Sequence, residues 1–264
     1  MNTAQLNGLK KHFNDYSMAF IEKADNPDPF ILKKEHTLRV CEEIVIIGRQ
    51  LLLPEDDLIL AEAIALLHDI GRFVQLEKYN TFVDQFSENH AELGLAVIND
   101  QGFLDFCEKN EACLIKEAVR FHNAADIPSD RDNRTLFFMR LIRDADKLDI
   151  WRVVTEHYER PASDSEKIIN LGLEDDGKIS HEAVEAVCQE TFVKTFMIKR
   201  LNDLKLLQIS WVFDLNFPQS VSRLKQKGYI DKIISTMPML PGLEKALVHV
   251  REYMAGYDDP CTGL

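Results

Sequence analysis

The sequence has no long apolar run, no cysteine pair at metal-binding spacing and no excess of basic residues. No run of apolar residues among its 264 residues approaches the roughly 18 that a membrane-spanning helix needs. The five cysteines are an odd set without C-x-x-C spacing, which argues against a disulfide framework and a thiolate zinc site. The residues after Met1 also lack the layout of a secretory leader. We therefore expect a cytoplasmic protein with reduced thiols and no membrane partner.

The charge balance argues against one class of partner. Lysine and arginine number 31, aspartate and glutamate 44, and the formal net charge is -13. A broad basic surface for nucleic acid is therefore not expected. A small phosphorylated substrate held by a few local cations is compatible with this charge. Nothing in the composition predicts the oligomeric state.

Almost every long segment of the sequence has helical periodicity. The segment 30–53, for example, carries apolar residues and one histidine at spacings of four and three, on one face of a helix. The other predicted helices cover residues 4–24, 58–67, 87–99, 111–122, 135–160, 181–208, 219–236 and 241–256. Residues 72–86, 123–134 and 161–180 have the composition of loops or connections, and 211–218 is either extended or a turn. The pattern predicts an all-α protein.

One apolar helix places a histidine and an aspartate side by side at its end. Residues 58–67 are followed by His68, Asp69 and, after one more residue, Gly71. Adjacent side chains in mid-helix point about 100° apart, but both can lean toward one centre before a glycine that takes left-handed torsions. We therefore predict that the helix stops at Gly71. Imidazole and carboxylate together are ligands that suit divalent transition metals.

Further histidines and an aspartate lie on the apolar faces of other predicted helices. They are His36, His90, His122 and Asp146. Taken singly, each is more commonly a hydrogen-bonded core imidazole or the partner of an arginine. Taken together, four buried imidazoles and two buried carboxylates would cost several desolvation penalties if nothing in the interior bound them. Metal binding removes that difficulty, so the sequence predicts that these residues form one metal site.

This pattern resembles the HD superfamily of metal-dependent phosphohydrolases, whose signature is a histidine, then His-Asp, then a distant aspartate. Here the matching residues are His36, His68, Asp69 and Asp146. The resemblance covers roughly residues 30–160. It implies an all-α HD-domain helical bundle with additional C-terminal helices packed on it.

The resemblance also bears on the domain organisation. A boundary near 161–180 is conceivable, but helices on both sides suit one unit. We predict a single all-α domain over 1–264, with an HD core of about 30–160 and a C-terminal helical extension of about 181–258.

Members of the superfamily with two further histidines between His-Asp and the last aspartate hold two or more metals. His90 and His122 fall in that interval. The resemblance therefore implies that His36, His68, Asp69 and Asp146 hold one ion, and that Asp69, His90 and His122 hold a second, with Asp69 bridging. The implied cofactors are two divalent transition metal ions per chain, drawn from Mn, Fe, Ni, Co and Zn.

By resemblance, the expected activity is hydrolysis of a small phosphoester, such as a nucleotide, by a water that two metals activate. Asp69 is then catalytic as the bridging ligand. Arg72 and Lys147 adjoin ligands in sequence and are candidates to stabilise charge on the phosphate, although structural ion pairs suit them equally. Arg39, one turn beyond His36, is expected either to touch phosphate or to hold Asp146 or Asp149 in place.

Two other functional classes stay open at this stage. A minority of the superfamily uses the same six ligands to hold two irons and activate oxygen on a polyol or an organophosphonate, so the ligands alone do not separate hydrolase from oxygenase. A non-catalytic helical sensor is disfavoured because all six ligand positions are filled. Asp214 and Asn216, set among aromatic residues, form either a polar wall of the substrate pocket or caps of neighbouring helices.

Overall fold

A computed structural model of the chain describes residues 1–159, 170–240 and 242–258. All regular secondary structure in these ranges is helical, which confirms the all-α prediction. Among the described residues, no helix combines the length and the apolar character needed to cross a membrane. Part of the predicted connection at 161–180 lies outside the described residues.

The chain contacts group into two compact units, residues 1–149 and 150–264. The helices of the first unit are α1 (Thr3–Lys23), α2 (Asp28–Gln50), α3 (Glu55–Leu67), α4 (Gly71–Tyr79), α5 (His90–Asp100) and α6 (Lys109–Phe121). Helix α7 (Asn133–Tyr158) begins in the first unit and ends in the second. The prediction of a single domain over 1–264 stays a prediction.

Helix α3 forms the centre of the first unit. It is apolar on nearly every side, and all its residues from Leu58 to Leu67 are buried except Glu62. A helix with this composition must be covered on all faces, and α3 packs against α1, α2 and α6. Three acidic residues in its first turn complement the helix dipole. The residues that follow α3, His68 and Asp69, are thereby delivered into the interior.

The segment after Gly71 is helical, so the prediction of a loop over 72–86 was wrong for its first half. Helix α4 starts at Gly71, which does not have a positive φ, and its C-cap is Asn80, which does (φ 51°). The predicted left-handed stop at Gly71 was therefore also wrong. Only Phe73, Gln75 and Leu76 of α4 are buried beyond Gly71 itself. So short an apolar stripe gives little periodic signal, and tertiary packing stabilises the helix.

Gly71 is required by a close approach between helices rather than by its torsions. A Cβ at this position would lie 2.2 Å from the carbonyl oxygen of His90 and 2.4 Å from the backbone nitrogen of Gly94. Helices α4 and α5 can pack this closely because Gly71 carries no side chain, whereas a Cβ at Gly94 would make only ordinary contacts at 3.5 Å or more. The contact fixes the start of α5 against the start of α4.

The start of α5 also differs from the prediction. The helix begins at His90 instead of residue 87; Asn89 caps it, and the Asn89 side chain accepts hydrogen bonds from the backbone nitrogens of Ala91 and Glu92. The Ser87 hydroxyl instead donates to the carbonyl of Val83. His90 is therefore the first residue of α5, directly after the cap.

Within its described residues, the second unit contains the end of α7 and five further helices: α8 (His181–Cys188), α9 (Leu201–Ser210), α10 (Pro218–Lys227), α11 (Tyr229–Ser235) and α12 (Leu243–Ala255). The single helix predicted over 181–208 was wrong, because the chain turns between α8 and α9. Buried Asp203 accepts hydrogen bonds from the backbone nitrogen of Lys199, in that turn, and from that of Ser180, just before α8. The predicted helix over 219–236 is likewise two helices, divided by Gly228 at φ 65°.

The aromatic segment left open by the sequence forms a 3-10 turn over Trp211–Asp214. Asn216 donates from its side-chain amide to the carbonyl of Asp214. This contact is local to the loop, and the pocket role of Asp214 and Asn216 stays a prediction.

Candidate metal centre

The first unit brings the six predicted ligands into one cluster. His36 comes from the middle of α2, and Asp146 comes from α7. The other four stand at helix ends: His68 and Asp69 follow α3, His90 opens α5 and His122 follows α6. The four histidines and Asp69 are each 5% exposed or less, so the cluster is an interior feature.

Asp69 lies between two pairs of imidazoles. Its Oδ2 is 3.6 Å from Nε2 of His36 and 3.7 Å from Nε2 of His68. Its Oδ1 is 3.3 Å from Nε2 of His90 and 3.7 Å from Nε2 of His122. One carboxylate thus presents one oxygen to each pair, the arrangement expected of a bridging ligand.

Asp146 completes only one side of the cluster. Its Oδ1 is 3.1 Å from Nε2 of His36 and 3.6 Å from Nε2 of His68. On the other side, Nε2 of His90 and Nε2 of His122 are 3.0 Å apart. The two sides therefore differ in composition, with an extra carboxylate beside the first pair of imidazoles.

The donor atoms fit divalent transition metal ions. Two buried nitrogens, Nε2 of His36 and Nε2 of His68, have no aligned hydrogen-bond partner in the part of the chain that the structure describes. Buried polar atoms are rarely left without a partner unless an ion, water or ligand satisfies them. Ligand atoms from His36, His68 and Asp146 lie within 4.8 Å of one another, as do those from His68, Asp69 and His122. Both groups combine imidazole nitrogen with carboxylate oxygen, as such ions prefer.

Two of the imidazoles are oriented by backbone carbonyls. Nδ1 of His68 is 2.7 Å from the carbonyl oxygen of Ala65, and Nδ1 of His122 is 2.7 Å from that of Val119. A carbonyl only accepts, so Nδ1 carries the proton in each case. Nε2 is then left with its lone pair directed to the centre of the cluster.

Carboxylates orient the other two imidazoles. Nδ1 of His36 is 2.7 Å from Oδ2 of Asp149, and Nδ1 of His90 is 2.8 Å from Oδ2 of Asp84. Arg39 in turn donates to both oxygens of Asp149, at 2.7 and 3.1 Å. One of the two alternatives predicted for Arg39 is therefore confirmed: it holds Asp149.

Sequence reasoning missed Asp84, which organises the second side of the cluster. Besides His90, its carboxylate accepts from the Arg72 guanidinium at 2.9 Å and from the Gln75 amide at 2.8 Å. The same Arg72 nitrogen also donates to the carbonyl of Phe82 at 2.6 Å. Asp84 lies in a 3-10 turn within a predicted loop, where no periodicity marks a residue as inward-facing.

Sequence reasoning also missed Lys33, whose ammonium donates to Oδ2 of Asp69 at 2.7 Å. Its Nζ lies 5.4 Å from the centroid of the Phe82 ring. The sequence did contain a signal for this contact: Lys33 precedes His36 by three residues and so lies on the same face of α2.

Of the two predicted phosphate-stabilising cations, Arg72 reaches the cluster. Nε of Arg72 is 3.4 Å from Oδ1 of Asp69. Lys147 directly follows Asp146 on α7 and is 9% exposed. Their catalytic role stays a prediction.

The electrostatics keep the two central carboxylates ionised. Burial alone would raise the pKa of Asp69, but the charge of Lys33 and the neighbouring imidazoles hold it well below its ordinary value. Burial acts on Asp146 in the same sense, and the adjacent imidazoles of His36 and His68 likewise keep its pKa low. Both carboxylates are therefore available as ligands at neutral pH.

The pKa values of His90 and His36, on opposite sides of the cluster, are shifted in opposite directions. Burial and the nearby charge of Arg72 lower the pKa of His90 to about 4, so its imidazole is neutral near pH 7. Burial and Lys33 also lower the pKa of His36, but the adjacent carboxylates of Asp146 and Asp149 outweigh them and raise it above its ordinary value. A cation bound beside His36 would therefore displace a proton, as is usual for metal binding.

A family model described as HD domain matches residues 34–171. The match covers just over half of the chain and contains all six clustered residues, so the chain belongs to the HD domain family. Most members of that family are metal-dependent phosphohydrolases. No curated protein and no solved structure matches the chain.

Proposed function

We propose that this protein is a phosphohydrolase that hydrolyses a small phosphoester with the help of two divalent metal ions. The observation that carries the proposal is the position of Asp69, whose two oxygens face two separate pairs of imidazoles at 3.3 to 3.7 Å. A site for one ion would need only one of those pairs. The geometry supports a dinuclear site better than a mononuclear one.

In this proposal each side of the cluster holds one ion. The residues on the first side are His36, His68, Asp146 and Oδ2 of Asp69. The second side has fewer protein ligands, namely His90, His122 and Oδ1 of Asp69, which leaves more positions open to substrate and water. When bound, the ions would supply an activated water and positive charge against the phosphoryl oxygens.

The protein groups around the cluster fix its geometry. The four Nδ1 contacts set the tautomer and the ring orientation of the four clustered histidines, so these ligands need not reorganise when metal binds. Arg72 and Lys147 remain our candidates for stabilising charge on the phosphate. Hydrolysis then adds water across the P–O bond and releases phosphate and an alcohol. The small phosphorylated substrate, the cytoplasmic location and the absence of nucleic-acid binding through a basic surface are parts of this proposal.

The test is the metal content of protein prepared without added metal, followed by a phosphoester assay. We expect two ions per chain by elemental analysis and release of phosphate that is equal in air and under nitrogen. The variant His90→Ala should lose one ion, whereas His249→Ala, in the second unit, should keep both. One ion per chain in the unmodified protein would contradict the dinuclear proposal.

The same samples separate hydrolysis from oxygen chemistry. Two irons, no phosphate release and substrate-dependent oxygen uptake would replace the hydrolase with the oxygenase that the ligand set also allows. Oxygen-independent phosphate release would exclude that alternative as the main activity.

A further inference from the structure

Lys33 points its charged end at the bridging carboxylate. Its side chain is 19% exposed, against 5% for that of Asp69, and the two are joined by a 2.7 Å hydrogen bond. The ammonium also lies over the face of the Phe82 ring, at 5.4 Å from its centroid. Cation–π attraction of this kind holds the charge on that side of the cluster. Lys33 is thus a partly exposed cation located at a buried candidate metal site.

Arg72, by contrast, is held by protein acceptors through one of its nitrogens, while its Nε lies 3.4 Å from Oδ1 of Asp69. A single nitrogen of its guanidinium donates to Gln75, to the Phe82 carbonyl and to Asp84 at 2.6 to 2.9 Å. These contacts hold together α4 and the loop that follows it. A rigid guanidinium fixed in this way is suited to positioning that loop. A lysine carries a compact charge on a flexible four-carbon stem, so Lys33 can move to a new acceptor at lower cost.

The present acceptor of Lys33 is an atom that the proposed function assigns to a metal. Oδ2 of Asp69 faces both His36 and His68. A carboxylate oxygen that shares its charge with a divalent ion is a weaker partner for an ammonium group, and the two cations repel one another. The ammonium then favours an anion placed against the same ions. A phosphoryl group supplies such an anion.

We propose that Lys33, whose ammonium lies beside Asp69, binds the phosphoryl group of the substrate. The inference rests on the proposed function, because it takes the substrate to be a phosphoester. It makes Lys33 a substrate-binding residue in addition to the cations chosen from the sequence.

The experiment measures the binding of inorganic phosphate to metal-loaded protein by calorimetry, without any need for turnover. The variants are Lys33→Met and Lys33→Arg. The matched control is Lys34→Met, because Lys34 is the next residue on α2 but donates to Asn14 at an exposed position. Metal affinity without phosphate is measured for each protein as a second, independent readout.

We expect Lys33→Met to weaken phosphate binding by about 10- to 100-fold, the loss typical of one charge-assisted hydrogen bond. Lys33→Arg should restore part of the loss, and Lys34→Met should match the unmodified protein. Metal affinity in Lys33→Met should be equal to or tighter than that of the unmodified protein, since a competing cation is gone.

Two outcomes would overturn this inference and leave the proposed function standing. One is unchanged phosphate affinity in Lys33→Met. The other is a parallel loss of metal and phosphate affinity, which would mean that Lys33 only shapes the metal site. If the unmodified, metal-loaded protein binds no phosphate at all, the proposed function itself fails and the inference falls with it.

Discussion

At the scale of single residues, the properties of the cluster depend on what each imidazole contacts through Nδ1. Two imidazoles contact backbone carbonyls and two contact carboxylates. The carbonyl contacts are made by the main chain, and substitution of side chains does not remove them. Asp149 and Asp84 are therefore the positions where the orientation of a candidate ligand can be changed without touching the ligand.

The first prediction concerns Asp149, which is 1% exposed and holds both His36 and Arg39. Asp149→Asn removes the charge that anchors the imidazole and leaves the Arg39 guanidinium poorly compensated. We expect metal affinity to fall by about 10- to 100-fold, as for other residues that orient a ligand. Titration with Mn²⁺ or Zn²⁺ measures it. Asp130→Asn, at an exposed ion pair with Arg131, is the control, and equal affinity in the two variants would contradict the prediction.

The second prediction concerns the pH dependence of Asp84. Burial raises the pKa of this carboxyl, but His90 and Arg72 outweigh burial and lower it from 3.8 to about 2. A group with a lowered pKa in the folded state stabilises the protein fully above its unfolded pKa and loses that effect as pH falls toward its folded pKa. We therefore expect the stability difference between the unmodified protein and Asp84→Asn to be largest above about pH 4.

The measurement is urea unfolding of both metal-free proteins between pH 7 and pH 3. The difference in their free energies of unfolding should shrink below about pH 4. A difference that stays constant over this range would show that the charge of Asp84 is not what stabilises the fold.

At the scale of helices, most ligands are delivered by helix ends rather than by helix faces. His68 and His122 each stand just after the last residue of a helix, and each imidazole binds a carbonyl of that helix's last turn. His90 stands at the start of its helix. The approach of α4 to α5 at Gly71 therefore sets where His90 lies.

The third prediction tests that approach. Gly71→Ala would bring a Cβ within 2.4 Å of two backbone atoms, and backbone cannot move aside as a flexible side chain can. We expect a loss of about 1–3 kcal/mol in the free energy of unfolding, as for other overpacked positions. Less metal should be retained, because α5 carries His90.

Gly8→Ala is the matched control, because Gly8 lies inside α1 and its Cβ would meet nothing within 4 Å. That change should stabilise the protein by about 0.5–1 kcal/mol, the usual gain from alanine in a helix. Urea unfolding of both variants measures the contrast. Equal stability of the two variants would mean that α4 and α5 can separate at no cost.

At the scale of the whole molecule, all six candidate ligands lie in residues 1–149, yet α7 continues without a break to Tyr158. The sequence predicts one domain, and a single domain unfolds cooperatively. Ions that bind only the folded state add to its stability. Metal removal should therefore affect the unfolding of the entire chain.

The fourth prediction is that a chelator lowers the midpoint of one thermal transition of the full-length chain. At a free metal concentration of 100 times the dissociation constant, the stabilisation lost is about 2.7 kcal/mol. Calorimetry with and without chelator measures it. Two transitions, of which only one responds to the chelator, would contradict the single-domain prediction.

The amino-acid sequence by itself determined the all-α class and the set of six clustered residues. Helical periodicity is a local property, so it reports which face of each helix is buried. A histidine or aspartate on such a face, as at His36 or Asp146, must be satisfied in the interior. The HD signature added which of these residues belong together.

Only the tertiary structure decided which residues surround the six clustered residues. Helix α4, the contact at Gly71 and the hydrogen bonds of Asp84 all depend on how separate segments pack, and periodicity carries no information on that. Lys33 shows the same limit within a predicted helix. A lysine beside a histidine on one face indicates a solvated charge as readily as a buried contact, and only the position of Asp69, brought by another helix, separates the two.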